Sequence, residues 1–207
     1  MKRPSSTFNQ NVFINCPIDE NYAPLFHAIV FTIHMVGFRP RCSREANDSG
    51  VSRLGKIMNI MADCRYGIHD ISRTQLDRNR LPRFNMPFEL GVDLGYLHSG
   101  NAKYEAKKHL ILDTERYRYQ KFISDLAGHD PFAHHNKPKE VVNAIRDWLR
   151  TASGVHMPSG AVIYRTYKTF KRKLPKICSL SNLELDEITF ADYSYIIADW
   201  LSKQDAR

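Results

Sequence analysis

The chain has 207 residues, room for one α/β domain of ordinary size with a small appendage, and too few for two large domains. Hydrophobic residues at 43% and charged residues at 25% make a globular composition, and the longest apolar run falls well short of the roughly 18 residues a membrane span needs. No membrane partner is expected.

Thirty Lys plus Arg against 22 Asp plus Glu give a formal charge of +8, which favours polyanionic or phosphorylated ligands. The excess recurs at Arg39, Arg41 and Arg44, from Arg73 to Arg83, from Lys103 to Lys108 and from Arg165 to Lys176. A scattered excess points to nucleic acid less strongly than a single stripe does, so nucleic acid stays an open but unfavoured partner. Met1 to Gln10 lacks the apolar stretch of a secretory signal, and a cytoplasmic address is the expectation. Cys16, Cys42, Cys64 and Cys178 form no C-x-x-C pair, which argues against a zinc knuckle or a disulfide scaffold.

In chain order, Asn11 to Cys16 is a short apolar run stopped by Pro17, the pattern of a buried strand. After a turn at Asp19 to Tyr22, Pro24 opens a helix filled by Leu25, Phe26, Ile29, Val30, Ile33 and Val36 and ended by Gly37. So apolar a helix must be covered on several sides. Phe38 to Cys42 reads as the second strand. Asp48 or Ser49 can cap the next helix, whose stripe is Val51, Leu54, Met58 and Met61, with Arg53 and Lys56 outside it. Tyr66 to Ile71 is the third strand, and Thr74 to Phe84 an irregular loop. A helix starts around Pro87 and runs to Gly100, and Lys107 to Asp113 is the fourth strand. Glu115 to Leu126 reads as a helix, Pro131 and Phe132 as a short edge strand, and Val141, Ile145, Trp148 and Leu149 as one face of a further helix.

Alternation of this kind calls for a mostly parallel sheet covered on both faces, a flavodoxin-like three-layer α/β sandwich with ligands at the carboxyl ends of its strands. The Gly-, Pro- and Ser-rich stretch from Ser153 to Gly160 divides the chain into a sheet domain over 1–152 and a helical extension over 153–207. The extension holds a basic helix from Ala161 to Lys173, with Ile163, Tyr167 and Phe170 on one side, and a second helix from Leu185 to Leu201. Both are expected to pack on the sheet domain or on a second subunit.

The chain has no G-x-G-x-x-G, Walker lysine loop, G-x-S-x-G or H-E-x-x-H. Neither a cofactor nor a metal is expected. His134 and His135 are adjacent, a spacing that rarely serves one metal, and a solvated loop is the simpler reading. His27 and His34 share a helix face and read as core or boundary residues. Tyr117 and Tyr119 can stack a base or cover a core.

Glu89 is the leading candidate for chemistry. With Pro87 as the first helical residue it falls at the third position, inside the positive end of the helix dipole, which predicts an ionised carboxylate at neutral pH. A fixed carboxylate can stabilise or attack an oxocarbenium-like sugar. It can equally close a capping box. Asp70, where the third strand leaves the sheet, is either a polar site residue or a turn-forming Asx residue, and His69 reads as packing on a neighbouring helix. Asp19 and Glu20 can meet ribose hydroxyls or cap a helix, and Arg73, Arg78, Arg80 and Arg83 can grip phosphates or lie in a solvated loop.

The segments Val12 to Leu25 (VFINCPIDENYAPL), Arg65 to Ser72 (RYGIHDIS) and Asn85 to Leu97 (NMPFELGVDLGYL) resemble the superfamily of Rossmann-like N-glycosidases that joins TIR-like domains with nucleoside 2-deoxyribosyltransferase-like proteins. The likeness spans Asn11 to Trp148. In that superfamily the Glu of an E-L-G context at a helix start is catalytic, and Glu89-Leu90-Gly91 matches it. Deoxyribosyltransferases usually carry a Gly-Thr pair and an acid shortly before this Glu, where the present chain has Arg83-Phe84-Asn85-Met86-Pro87. The resemblance therefore implies the TIR-like activity, cleavage of the nicotinamide bond of NAD or a related nucleotide, often in defence against bacteriophage or as a toxin. It implies Glu89 at the ribose, with Asp70 as a second catalytic contact. Asn15, Pro17 and Asp19 would form pocket walls, Arg73 or Arg83 a phosphate clamp, and Asn85 a further substrate contact. A homo-oligomer or a partner protein of a defence system is implied as well. The alternatives are a module that senses a nucleotide without cleaving it and an interaction module of a larger complex.

Overall fold

The computed structural model describes residues 7–45, 48–74 and 83–205. Strands β1 (Asn11–Asn15), β2 (Arg39–Cys42), β3 (Tyr66–Asp70), β4 (Lys108–Asp113) and β5 (Phe132–Ala133) form one sheet in the order β2-β1-β3-β4-β5. Every pairing is parallel. The central strands β1 and β3 are buried at all their positions, as a sheet covered on both faces requires. Pro40 lies in β2 at the sheet's edge, where a missing N–H costs no ladder bond.

Side chains alternate between two faces with the strand period of two. Val12, Ile14, Tyr66, Ile68, Leu110 and Leu112 join a core with α1 (Ala23–Met35) and α5 (Pro138–Ser153). On the other face Phe13 packs with Ile57, Ile60 and Met61 of α2 (Arg53–Ala62), and Ile111 packs with Leu90 of α3 (Asn85–Gly95). A four-residue helix, α4 (Ala102–Glu105), precedes β4. The architecture is the expected flavodoxin-like α/β sandwich with helices added at the carboxyl end.

Those added helices, α6 (Gly160–Leu180) and α7 (Phe190–Asp205), explain why α1 is so apolar. Phe31 of α1 meets the rings of Tyr167, Phe170 and Trp200 at centroid distances of 5.4, 5.3 and 6.3 Å. Helix α1 is thus enclosed by the sheet, α5, α6 and α7. It ends where expected: Gly37 takes a left-handed φ of +83°, and Phe38 N donates to Ile33 O at 3.0 Å, a Schellman closure that a side chain at Gly37 would strain. Among the described residues no helix is long and apolar enough to cross a membrane.

Several expected elements differ. Ser52, not Asp48 or Ser49, caps α2 by accepting from Gly55 N at 3.1 Å, and the inward stripe is Ile57, Ile60 and Met61. Val51, Leu54 and Met58 are exposed, and of the expected stripe Met61 alone packs with Phe13. In place of a helix from Glu115 to Leu126 there are two single 3₁₀ turns, Arg118–Lys121 and Ser124–Leu126. The backbone is bent at Tyr117, φ +60°, and Arg118 is drawn toward the sheet by hydrogen bonds to Asp113 and to the carbonyls of Ile71 and Ser72. Helix α7 begins five residues after Leu185 because Thr189 and Asp192 form a reciprocal cap, Thr189 N to Asp192 Oδ2 at 2.9 Å and Asp192 N to Thr189 Oγ1 at 3.2 Å.

Candidate functional site

In a sheet of this order the connections leaving β1 and β3 diverge, and the crevice outside their carboxyl ends is where ligands of such folds bind. A hollow of about 260 Å³, the open solvent at its mouth included, lies at this rim, lined by Asn15 and Cys16 at the end of β1, Cys42 to Arg44 at the end of β2, Phe26 of α1, Arg53 of α2, and Met86 and Glu89 of α3. As folded it has room for about one water.

Glu89 is buried, 6% exposed. Helix α3 begins at Asn85, two residues earlier than the sequence suggests, so Glu89 is its fifth residue and Pro87 its third. The first turn holds no acid, and the N-cap residue Phe84 makes no side-chain cap bond. The capping-box reading therefore falls. So does the expected cause of ionisation, since a dipole acts within the terminal turn. Burial pushes the Glu89 carboxyl up to about 6, while Arg53 pulls it back down. The Arg53 guanidinium stands 4.0 Å from Oε1. The group is mostly ionised at pH 7, yet it takes a proton far more readily than an exposed glutamate.

Asn15 lines the same hollow. Its Nδ2 donates to Met86 O at 2.9 Å, which fixes the amide's orientation, and meets His69 Nδ1 at 3.1 Å. The remaining atom, Oδ1, is buried and accepts no hydrogen bond, a cost of about 1–3 kcal/mol that a ligand hydroxyl or a water would relieve. Because Nδ1 of His69 accepts from Asn15, the ring proton sits on Nε2, which faces Asp93 Oδ2 at 3.0 Å. His69 thus anchors helix α3 to the sheet, as expected. The same carboxylate contacts His109 Nε2 at 3.2 Å and, through Oδ1, the Lys107 ammonium at 2.9 Å. Lys107 Nζ also donates to the carbonyls of Met61 and Cys64 at 2.8 and 2.7 Å.

The ligating atoms of His69, Asp93 and His109 lie within 4.8 Å of one another, the one such trio with metal-ligand chemistry among the described residues. The buried ammonium already supplies the positive charge that Asp93 requires, so the trio is complete as a structural network without a metal.

Asp70 does not line the hollow. It is fully buried, accepts from Ser72 N at 2.8 Å in an Asx turn, and through Oδ2 bonds the Tyr22 hydroxyl and meets His134 Nε2 at 3.1 Å. His134 is therefore no solvated-loop residue; only His135 is exposed. Asp19 accepts from Tyr22 N at 3.0 Å and has Arg73 and Arg83 within 3.8 and 3.7 Å, so both proposed phosphate clamps point at Asp19. Arg78 and Arg80 lie outside the described residues. Pro17 and Asp19 line a larger neighbouring groove of about 1500 Å³, bounded by α6 and the segment before α7. Ile18, Phe26 and Arg44 line both spaces. Asn85 is exposed at the first position of α3 and stands apart from the lining of either.

Residues that the sequence did not single out are Arg53, Arg44 and Arg118. Arg118 braces the loop after β3, donating to Asp113 Oδ1, Thr74 Oγ1 and the carbonyls of Ile71 and Ser72. Cys16 and Cys42 also line the hollow, but burial pushes the Cys42 thiol up to about 12 and that of Cys16 well above its ordinary value. They remain protonated walls, not nucleophiles. Glu89 is left as the group in the hollow able to carry charge-stabilising or acid-base chemistry.

The fold and site define an α/β flavodoxin-like sandwich with a buried carboxylate at the carboxyl rim of its sheet. No protein-family model matches the chain, and no curated protein matches it.

Proposed function

We propose that this protein is a hydrolase cleaving the N-glycosidic bond of NAD or a related nucleotide, with Glu89 as its catalytic residue. One observation carries the reading: a buried, chargeable carboxylate and a buried, unpaired amide oxygen, that of Asn15, line one hollow at the sheet's carboxyl rim. The first suits a developing positive charge and the second a sugar hydroxyl.

In the reaction the bond from the ribose anomeric carbon to the nicotinamide nitrogen breaks, and its electron pair leaves with the nitrogen, giving neutral nicotinamide. The sugar becomes oxocarbenium-like, and the Glu89 carboxylate stabilises it or bonds to it transiently. Water adds at the anomeric carbon and loses one proton, through Glu89 or to solvent. The products are ADP-ribose, nicotinamide and a proton. Asn15 Oδ1 accepts a ribose hydroxyl. Asp70 acts from beneath, holding Tyr22 and through it the turn that carries Asp19.

A sugar needs more space than the hollow offers as folded. Arg44 and Arg53 at its mouth are exposed, and their displacement admits the substrate while their charge attracts its phosphates. We place the reaction in the cytoplasm, where thiols such as the four buried free cysteines stay reduced.

The test is to incubate the purified protein at substrate-level concentration with NAD, NADP, nicotinamide mononucleotide and a set of purine nucleotides, and to follow the free base. Equimolar nicotinamide and ADP-ribose are expected from NAD. No free base from any of them overturns the proposal.

A further inference from the structure

We propose that the outer face of α6 binds single-stranded nucleic acid through its phosphate backbone, independently of the glycosidase site. Helix α6 carries six cations, Arg165, Lys168, Lys171, Arg172, Lys173 and Lys176, and no acidic residue. That is six charges of a net excess of eight. All six are exposed, and none lies within 4.0 Å of a carboxylate among the described residues. Some exposed cations elsewhere are paired, as Lys137 is with Glu140 and Lys203 with Asp199; what sets α6 apart is six unpaired ones on a single helix with no acid.

The fold, more than the composition, builds this patch. Ile163, Tyr167, Phe170 and Leu174 occupy the inner face of α6 and are buried against α1 and its neighbours, so every charge is displaced outward. Arg165, Lys168, Arg172 and Lys176 recur at spacings of three and four and form one row, about 16 Å long from the helical rise of 1.5 Å per residue. Beside the row a groove of about 1180 Å³ runs between α6, Pro24 and Pro138, lined by Tyr164, Arg165, Lys168, Lys171 and Arg172 and by no carboxylate. Tyr164 is half-buried, with the Lys168 ammonium 5.4 Å from its ring centre.

A cationic groove with an aromatic side chain in its wall is the arrangement that tracks a single strand and stacks its bases. Insertion into a duplex groove is disfavoured because one face of α6, from Ile163 to Cys178, is buried in the core. An anionic membrane is disfavoured because the apolar face such a helix would bury in lipid is already used inside the protein.

The test is fluorescence anisotropy of the full chain with labelled twelve-nucleotide single strands of deoxythymidine and of uridine, a twelve-base-pair duplex, and vesicles containing phosphatidylserine. Two double variants with wild-type thermal unfolding are compared: Lys168→Glu/Arg172→Glu on the row, and Lys108→Glu/Lys121→Glu away from it. Binding of either single strand that weakens as salt rises, and that falls about tenfold or more in the first variant while the second stays within about twofold, is the expected result. Equal losses in both variants, tighter binding of duplex than of single strand, or binding of vesicles without binding of strands overturns the proposal. The readout is binding alone, so a protein without glycosidase activity leaves the test intact.

Discussion

The Arg53 guanidinium lies 4.0 Å from Glu89 Oε1, and the two residues differ sharply in setting: the arginine side chain is 64% exposed and the glutamate side chain 8%. Burial raises the proton affinity of the carboxyl, and the arginine, from its exposed position, offsets part of that rise. The pair therefore sets the pH at which the site becomes charged.

A first prediction follows for the pH–rate profile. Glu89 must be ionised to stabilise a cationic sugar, and its carboxyl titrates at about 6, so kcat rises through that region as pH increases and levels off above it. Arg53→Ala removes an influence that lowers the value, so the inflection moves upward. The check is nicotinamide release between pH 4.5 and 8.5 for both proteins; an inflection at the same pH in the variant contradicts the assignment.

Asp93 and Lys107 are both fully buried. Burial opposes ionisation of Asp93, but His109, His69 and Lys107 overcome it and hold the carboxyl well below the usual range. Asp93→Leu leaves a buried ammonium without its counter-charge and should cost about 3–5 kcal/mol. Lys107→Met should cost a similar amount, and the double variant should recover part of the loss. Chemical denaturation of the three proteins gives the coupling energy, and additive losses would show that the pair does not act as one unit.

Gly67 of β3 faces this same network. A Cβ there would stand 2.7 Å from Asp93 Oδ2 and 2.8 Å from His69 Nε2, closer than real contacts allow. Gly67→Ala should therefore destabilise by about 1–3 kcal/mol and, by displacing His69, disturb the amide of Asn15. A melting temperature equal to that of the wild type would show that the network has slack.

Acid should weaken the fold through two partly buried histidines of α1, His27 and His34. Burial, then Lys171 and Arg44, lowers His27 to about 4, and burial, then Arg39, lowers His34 to about 4. An unfolded histidine titrates near 6.5. Between these values the unfolded chain binds more protons than the folded one, so stability is retained above about pH 6.5 and declines as pH falls toward 4. Urea unfolding at pH 7 and pH 5 measures the decline. His27→Gln/His34→Gln should flatten it, and an unchanged slope would place its origin elsewhere.

The sheet was legible because its strands are short apolar runs between turn residues: NVFIN, YGIHD and KHLILD lie where hydrophobic patterning puts them. The inward face of α2 is only partly legible: Val51, Leu54 and Met58 mimic an apolar stripe with Met61, while packing on Phe13 selects Ile57, Ile60 and Met61. The turns at Arg118 depend on hydrogen bonds to residues some 46 positions away, which no local pattern records. Glu89 could be singled out from its place at a helix start, but its raised proton affinity could not, because that comes from what covers it. The Lys107–Asp93 pair was hidden for the same reason: each reads alone as a surface charge.

The central claim is that the Glu89 carboxylate acts on the sugar. It is tested most directly by single-turnover release of nicotinamide from NAD by wild type and Glu89→Gln, which keeps the shape of the side chain and removes its charge. A thermal-shift measurement with ADP-ribose confirms that the variant still binds. The account predicts release by the wild type and a loss of about a hundredfold or more in the variant, with ligand-induced stabilisation retained. Equal release by the two proteins would contradict it.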